Sequence, residues 1–165
     1  MLKNEIEQGT GRRKADLVLK NGRFVNVFTG EVTAADIAVC GGKIVGFGAY
    51  EGEEEIDVSG KIVLPGYIDA HVHIESSQLT PEEFSKLVLP RGTTTVIADP
   101  HEITNVCGIE GARYIAEASA GTPLEVHVML PSCARNALRN ERSVITGEDT
   151  ENISAKISYS VWANS

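Results

Sequence analysis

The chain is predicted to be α/β with a β-sandwich: a small N-terminal sandwich or open barrel, then the first three βα units of a parallel barrel. Three observations predict it. Between residues 15 and 64, short apolar segments of period two are separated by Asn-Gly, Gly-Gly and Ser-Gly pairs, the pattern of strands joined by tight turns. After Pro65-Gly66, β-branched segments alternate with helical ones at the spacing of a βαβαβ run, which demands parallel strands. Polar residues gather at the C-terminal ends of those later strands, where α/β barrels keep their chemistry.

The elements follow in order. Residues 1–14 are polar and form a leader or short helix, with Arg12-Arg13 as solvated surface. Asp16–Lys20 and Arg23–Phe28 flank Asn21-Gly22, and Thr29-Gly30 turns the chain again. Asp36–Cys40 and Lys43–Phe47 flank Gly41-Gly42, and Glu55–Val58 and Lys61–Leu64 flank Ser59-Gly60. Each of the three pairs is expected to be a hairpin, and the acidic run Glu51–Glu55 a solvated turn. Gly66–Glu75 is expected to be a buried strand. Thr80 then caps a helix over Glu82–Leu89, with Pro81 in its first turn and Glu83 placed to close a capping box. Thr93–Ala98 reads as a buried strand, Gly108–Ala120 as a helix and Leu124–Leu130 as a third strand. Domains are expected at 15–64 (sandwich) and 65–133 (partial barrel), with 134–165 a divergent tail.

Composition narrows the function. With 165 residues, 42% of them hydrophobic, the chain can bury a core, and its net charge of −8 argues against nucleic acid and anionic membranes as partners. No apolar run approaches the ~20 residues of a membrane span, and no signal-peptide hydrophobic region is found. Cys40, Cys107 and Cys133 are far apart and in no C-x-x-C arrangement. They read as reduced thiols of a cytoplasmic protein, each a small buried hydrophobe.

The chemistry concentrates at His71 and His73. Residues i and i+2 of a strand point to one side, so both imidazoles aim at one spot while Val72 points away. Two neutral imidazoles converging make half of a transition-metal site. An isolated H-x-H is more often a core histidine beside a solvated one. Here the pair closes the run Ile62–Asp69, which favours the metal. A second polar cluster, Asp99-Pro-His-Glu102, sits at the tip of the next strand. His127 falls mid-strand and reads as structural.

Gly66–Ser77, Leu89–Val106 and Met129–Cys133, together with the segment Ala15–Gly30, resemble the adenine deaminase family of the amidohydrolase superfamily, over roughly residues 14–133. The superfamily's H-x-H is shared with dihydroorotases and deacetylases; Asp99-Pro-His-Glu102 points to adenine deaminases. The resemblance implies a binuclear divalent-metal centre, Mn2+ or Fe2+, and conversion of adenine to hypoxanthine and ammonia. It implies His71, His73 and His101 as metal ligands, Glu102 and Asp99 as catalytic proton-handling groups, and Glu75 and Ser76 as substrate contacts. It also implies a cytoplasmic purine-salvage enzyme whose complete form is a homo-oligomer. The family's bridging carboxylate, two further histidines and a late aspartate come from later barrel strands. The chain is therefore expected to be an inactive fragment; the alternatives are another amidohydrolase of cyclic amides or purines, or a non-catalytic remnant. After Cys133 the family continues Val-Pro-Ala-Thr-Pro-Phe-Glu-Thr-Ser-Gly, whereas Ala134–Arg142 reads as that peptide with two nucleotides dropped, so a damaged or misread gene is expected.

Overall fold

The computed structural model describes residues 2–130. The expectations for the tail and for Cys133 lie outside the described residues. The chain divides into two compact units, one ending at Pro65 and one beginning at Gly66.

The first unit opens with helix α1 (Leu2–Gly9). It is no loose leader. The buried Gln8 side chain donates from Nε2 to Asp16 Oδ1 at 2.8 Å and accepts the Asp16 amide at 3.2 Å, and Tyr50 Oη donates to the Gly9 carbonyl at 2.7 Å. Strands β1 (Ala15–Lys20), β2 (Arg23–Val25), β3 (Val32–Ala34), β4 (Asp36–Cys40), β5 (Lys43–Gly48), β6 (Gly52–Asp57) and β7 (Ile62–Val63) follow. They form two sheets, ordered β5-β4-β1-β6 and β3-β2-β7. Ala15, Val18 and Ala38 make the buried centre of the first sheet, and the rings of Phe24 and Phe47 stack at 4.3 Å between the two sheets. This is the expected small sandwich.

Only one of the three expected hairpins there is realised. Gly41 and Gly42, at φ +56° and +78°, turn β4 into β5, the backbone that a two-residue hairpin requires. By contrast, β1 pairs antiparallel with β4 and parallel with β6, and β2 pairs antiparallel with β3 and parallel with β7. Asn21-Gly22 and Ser59-Gly60 therefore pass the chain from one sheet to the other. The crossings run side by side: the Val58 amide donates to the Lys20 carbonyl at 2.9 Å and Asn21 Nδ2 to Asp57 Oδ1 at 3.1 Å. A Cβ on Gly22 would lie 2.8 Å from Val58 Cγ2, so the close approach requires glycine. The acidic run is likewise strand rather than turn. β6 lies at the edge of its sheet with residues 53–57 exposed, where carboxylates remain hydrated and discourage further pairing.

In the second unit, β8 (Tyr67–Val72), β9 (Thr93–Ala98) and β10 (Glu125–Val128) form a parallel sheet in the order β10-β9-β8. Helix α2 (Pro81–Val88) connects the first two strands; α3 (His101–Cys107) and α4 (Ile109–Ser119) connect the last two. The helices cover one face of the sheet around Ile74, Phe84, Val96, Ala98, Ile115 and Leu124. Thr80 Oγ1 accepts the Glu83 amide at 3.4 Å, as expected of a cap, but the Glu83 carboxylate lies on Lys86 Nζ at 2.6 Å. Strand β8 is exposed rather than buried, since β9 flanks it on one side and no described strand on the other. Cys40 is buried as expected, whereas Cys107 is exposed on α3. No helix among the described residues is long and apolar enough to cross a membrane.

Candidate metal centre

The β8–β9 ladder ends where Val72 pairs with Ala98, and the Asp99 amide adds one more bond, to the Val72 carbonyl at 2.9 Å. Val72 packs against the core under the helices. His71 and His73 therefore fall on the opposite side, and their Nε2 atoms lie 3.3 Å apart. His73 Nδ1 is 2.7 Å from the Asp99 carbonyl oxygen. That acceptor fixes the proton on Nδ1 and leaves the Nε2 lone pair facing His71. Two nitrogens that share one ion at ~2.1 Å, with a tetrahedral angle between them, sit roughly 3.4 Å apart, so the spacing fits a common cation.

The tip of β9 closes on the same place. His101 opens α3, and its ring stands edge-on to His73 with centroids 4.4 Å apart. Asp99 Oδ2 lies 3.3 Å from His101 Nδ1, an acceptor that keeps the proton on Nδ1 and leaves the Nε2 lone pair available. Glu102 Oε1 accepts the Ser76 hydroxyl at 2.6 Å, while its Oε2 lies 3.4 Å from His73 Nδ1 and 3.8 Å from His101 Nε2. Two sets of donor atoms result, each within 4.8 Å: His71, His73 and Asp99, and His73, His101 and Glu102.

Glu75 Oε1 accepts the Ile103 amide at 3.3 Å. Among the described residues, Glu75 Oε2, Asp99 Oδ1 and Glu102 Oε2 are buried oxygens without a hydrogen-bond partner. Unpaired buried carboxylate oxygens are costly, and two of these residues, Asp99 and Glu102, belong to the donor sets around the convergent imidazoles, where a divalent cation would satisfy them. The hydrogen bond to the Asp99 carbonyl raises the His73 pKa against the opposing effect of burial, with Glu102, Asp99 and Glu75 adding to the rise. Burial pushes the Glu102 carboxyl upward, but Ser76, the residue's own amide, Glu75 and His101 outweigh it and hold the carboxyl below its ordinary range.

The structure thus brings His71, His73, Asp99, His101 and Glu102 together, with Glu75 and Ser76 alongside. His127 is elsewhere engaged, its Nε2 3.1 Å from Glu125 Oε1. Sequence reasoning missed α3, which begins directly after the tip. Pro100 ahead of a first-turn Glu102 was the available signal.

A sequence model of the amidohydrolase family matches residues 62–162, more than half of the protein. The chain belongs to the amidohydrolase family. Within that family it is 55% identical over 134 residues to an adenine deaminase of Brucella anthropi, covering 81% of this chain and 24% of that protein. It is 51% identical over 149 residues to an adenine deaminase of Bacillus velezensis, covering 90% and 26%. This amidohydrolase chain thus spans about a quarter of the length of the curated relatives it matches. Among solved structures, the L-hydantoinase of Arthrobacter aurescens superposes with a TM-score of 0.56 at 26% identity, over 69% of this chain and 27% of that one. A D-aminoacylase superposes with a TM-score of 0.59 at 22% identity, over 86% and 35%, a likeness of fold.

Proposed function

We propose that this amidohydrolase chain is the metal-binding N-terminal part of an adenine deaminase, which converts adenine and water into hypoxanthine and ammonia. The observation that carries the reading is the convergence of the two Nε2 atoms, 3.3 Å apart, beside the Asp99–Glu102 tip. The 51–56% identity to adenine deaminases selects the substrate, against the 26% to a hydantoinase.

His71 and His73 would hold the cation through Nε2, with His101 Nε2 beside them. The mixed nitrogen and oxygen donors suit Mn2+ or Fe2+. When bound, the cation supplies Lewis acidity that makes water a nucleophile at neutral pH. Asp99 holds two groups in place: its carbonyl orients His73 and its carboxylate orients His101. Glu102 Oε2, buried and unpaired, is placed to accept the proton that the attacking water loses and deliver it to the departing amino nitrogen, which leaves as ammonia. The purine is read by groups from the remainder of the longer protein, so the 165-residue chain alone is expected to be without activity.

Grafting residues 15–133 in place of the matching segment of the Brucella anthropi enzyme tests this. The graft is expected to release ammonia from adenine, and His73→Ala in the graft to lower the rate at least ~100-fold. A graft that folds and binds metal but leaves adenine intact would contradict the reading.

A further inference from the structure

We propose that Ser76 and Glu75 are positioning residues, which set the tip of β9 from the turn that follows β8. The 3-10 turn Glu75–Ser77 begins two residues after His73, closed by the Ser76 amide on the His73 carbonyl at 3.2 Å and the Ser77 amide on Ile74 at 3.1 Å. From that turn two side chains reach the start of α3. Ser76 Oγ donates to Glu102 Oε1 at 2.6 Å, and Glu75 Oε1 accepts the Ile103 amide at 3.3 Å. Helix α3 has no cap of its own, because Pro100 offers no side-chain acceptor. Glu75 therefore supplies from 28 residues away the acceptor that a helix's first turn ordinarily obtains from its neighbour.

The geometric result concerns Glu102. A carboxylate at the start of a seven-residue helix has free rotamers, and the Ser76 hydroxyl holds one oxygen of this one by a 2.6 Å bond. Binding one oxygen to Ser76 turns the other, Oε2, toward His73 Nδ1 at 3.4 Å and His101 Nε2 at 3.8 Å. A hydroxyl already donating to Glu102 is not free to donate to a substrate. Ser76 thus acts through Glu102 rather than on the purine, and Glu75 acts through α3. The inference rests on the metal-centre reading for its consequence, but its geometry stands apart from any ion.

The test uses the 165-residue chain with two readouts. Without metal, imidazole 15N–1H correlations of His73 and His101 are expected to move in Ser76→Ala and Glu75→Ala and to stay in place in Ser76→Thr, which keeps the hydroxyl. His127 in the same unit is expected to stay unchanged in all three, which separates positioning from loss of fold. With Co2+ alone as probe, Ser76→Ala is expected to weaken binding about tenfold and alter the visible band, as loss of an outer-shell partner does, with Ser76→Thr restoring both. Wild-type imidazole signals in Ser76→Ala would overturn the proposal whether or not Co2+ binds. Failure of the wild-type chain to bind Co2+, with the imidazole shifts as expected, would instead overturn the metal-centre reading and leave the positioning role established.

Discussion

The tautomer of His73 is set by a backbone carbonyl, that of His101 by a carboxylate, and both acceptors belong to Asp99. One residue therefore orients two rings, which makes the four-residue tip a unit rather than a series of ligands. His101→Ala is accordingly expected to weaken Mn2+ binding by at least the roughly 10- to 100-fold that loss of an outer-shell partner costs. His127→Ala is expected to leave binding within about twofold, since that ring is committed to Glu125 at 3.1 Å; calorimetric titration of both variants checks this. His71 and His73 were legible because a strand's period of two acts locally. The Ser76–Glu102 and Glu75–Ile103 contacts were not, because they span 26 and 28 residues and exist only once β8 and β9 have paired.

Strand β9 and the parallel order of the second sheet were readable from β-branched runs and helix caps. The N-terminal sandwich was readable only in kind. Asn21-Gly22 and Ser59-Gly60 have hairpin composition, yet they lead the chain from β1 and β6 into the sheet β3-β2-β7, and the parallel pairing of β1 with β6 across 37 residues leaves no local mark. That corner is held by Lys20, whose Nζ lies 2.6 Å from Asp36 Oδ2 and 2.8 Å from the Tyr50 carbonyl, while Asp36 Oδ1 accepts the Asn21 amide at 3.0 Å. The hydrogen bond from Lys20, then that from the Asn21 amide, lowers the Asp36 pKa from its ordinary 3.8, and the same Asp36 partner raises Lys20 from 10.5. For the carboxyl, the stabilisation is fully present above 3.8 and lost as pH falls through the depressed folded value. For the ammonium, it is present below 10.5 and lost as pH rises through the raised one. Asp36→Asn is therefore expected to lower the thermal midpoint at pH 7. The gap to wild type should narrow as pH drops below 3.8 and again above 10.5. A gap independent of pH, followed by circular dichroism, would show that the pair does not hold the corner.

Each unit has its own core, the second built on Ile74, Val96 and Ile115 and the first on Ala15, Val18 and Ala38. Considerable apolar surface remains open on both. In the first, an apolar cavity of about 410 Å³ is lined by Phe24, Phe28, Ile44, Phe47 and Leu64 among others, and Phe28 is 96% exposed. In the second, Ile68 on β8 is 66% exposed. The proposed metal centre is the part that these residues define most fully: its candidate donors lie at the ends of β8 and β9 and at the start of α3, beside the turn Glu75–Ser77. Titrating Mn2+ into the 165-residue chain by isothermal calorimetry, beside the His71→Ala/His73→Ala double variant, tests it most directly. Saturable binding by the wild type, weakened at least ~100-fold in the double variant, is the predicted result. Identical titrations of the two chains would contradict it.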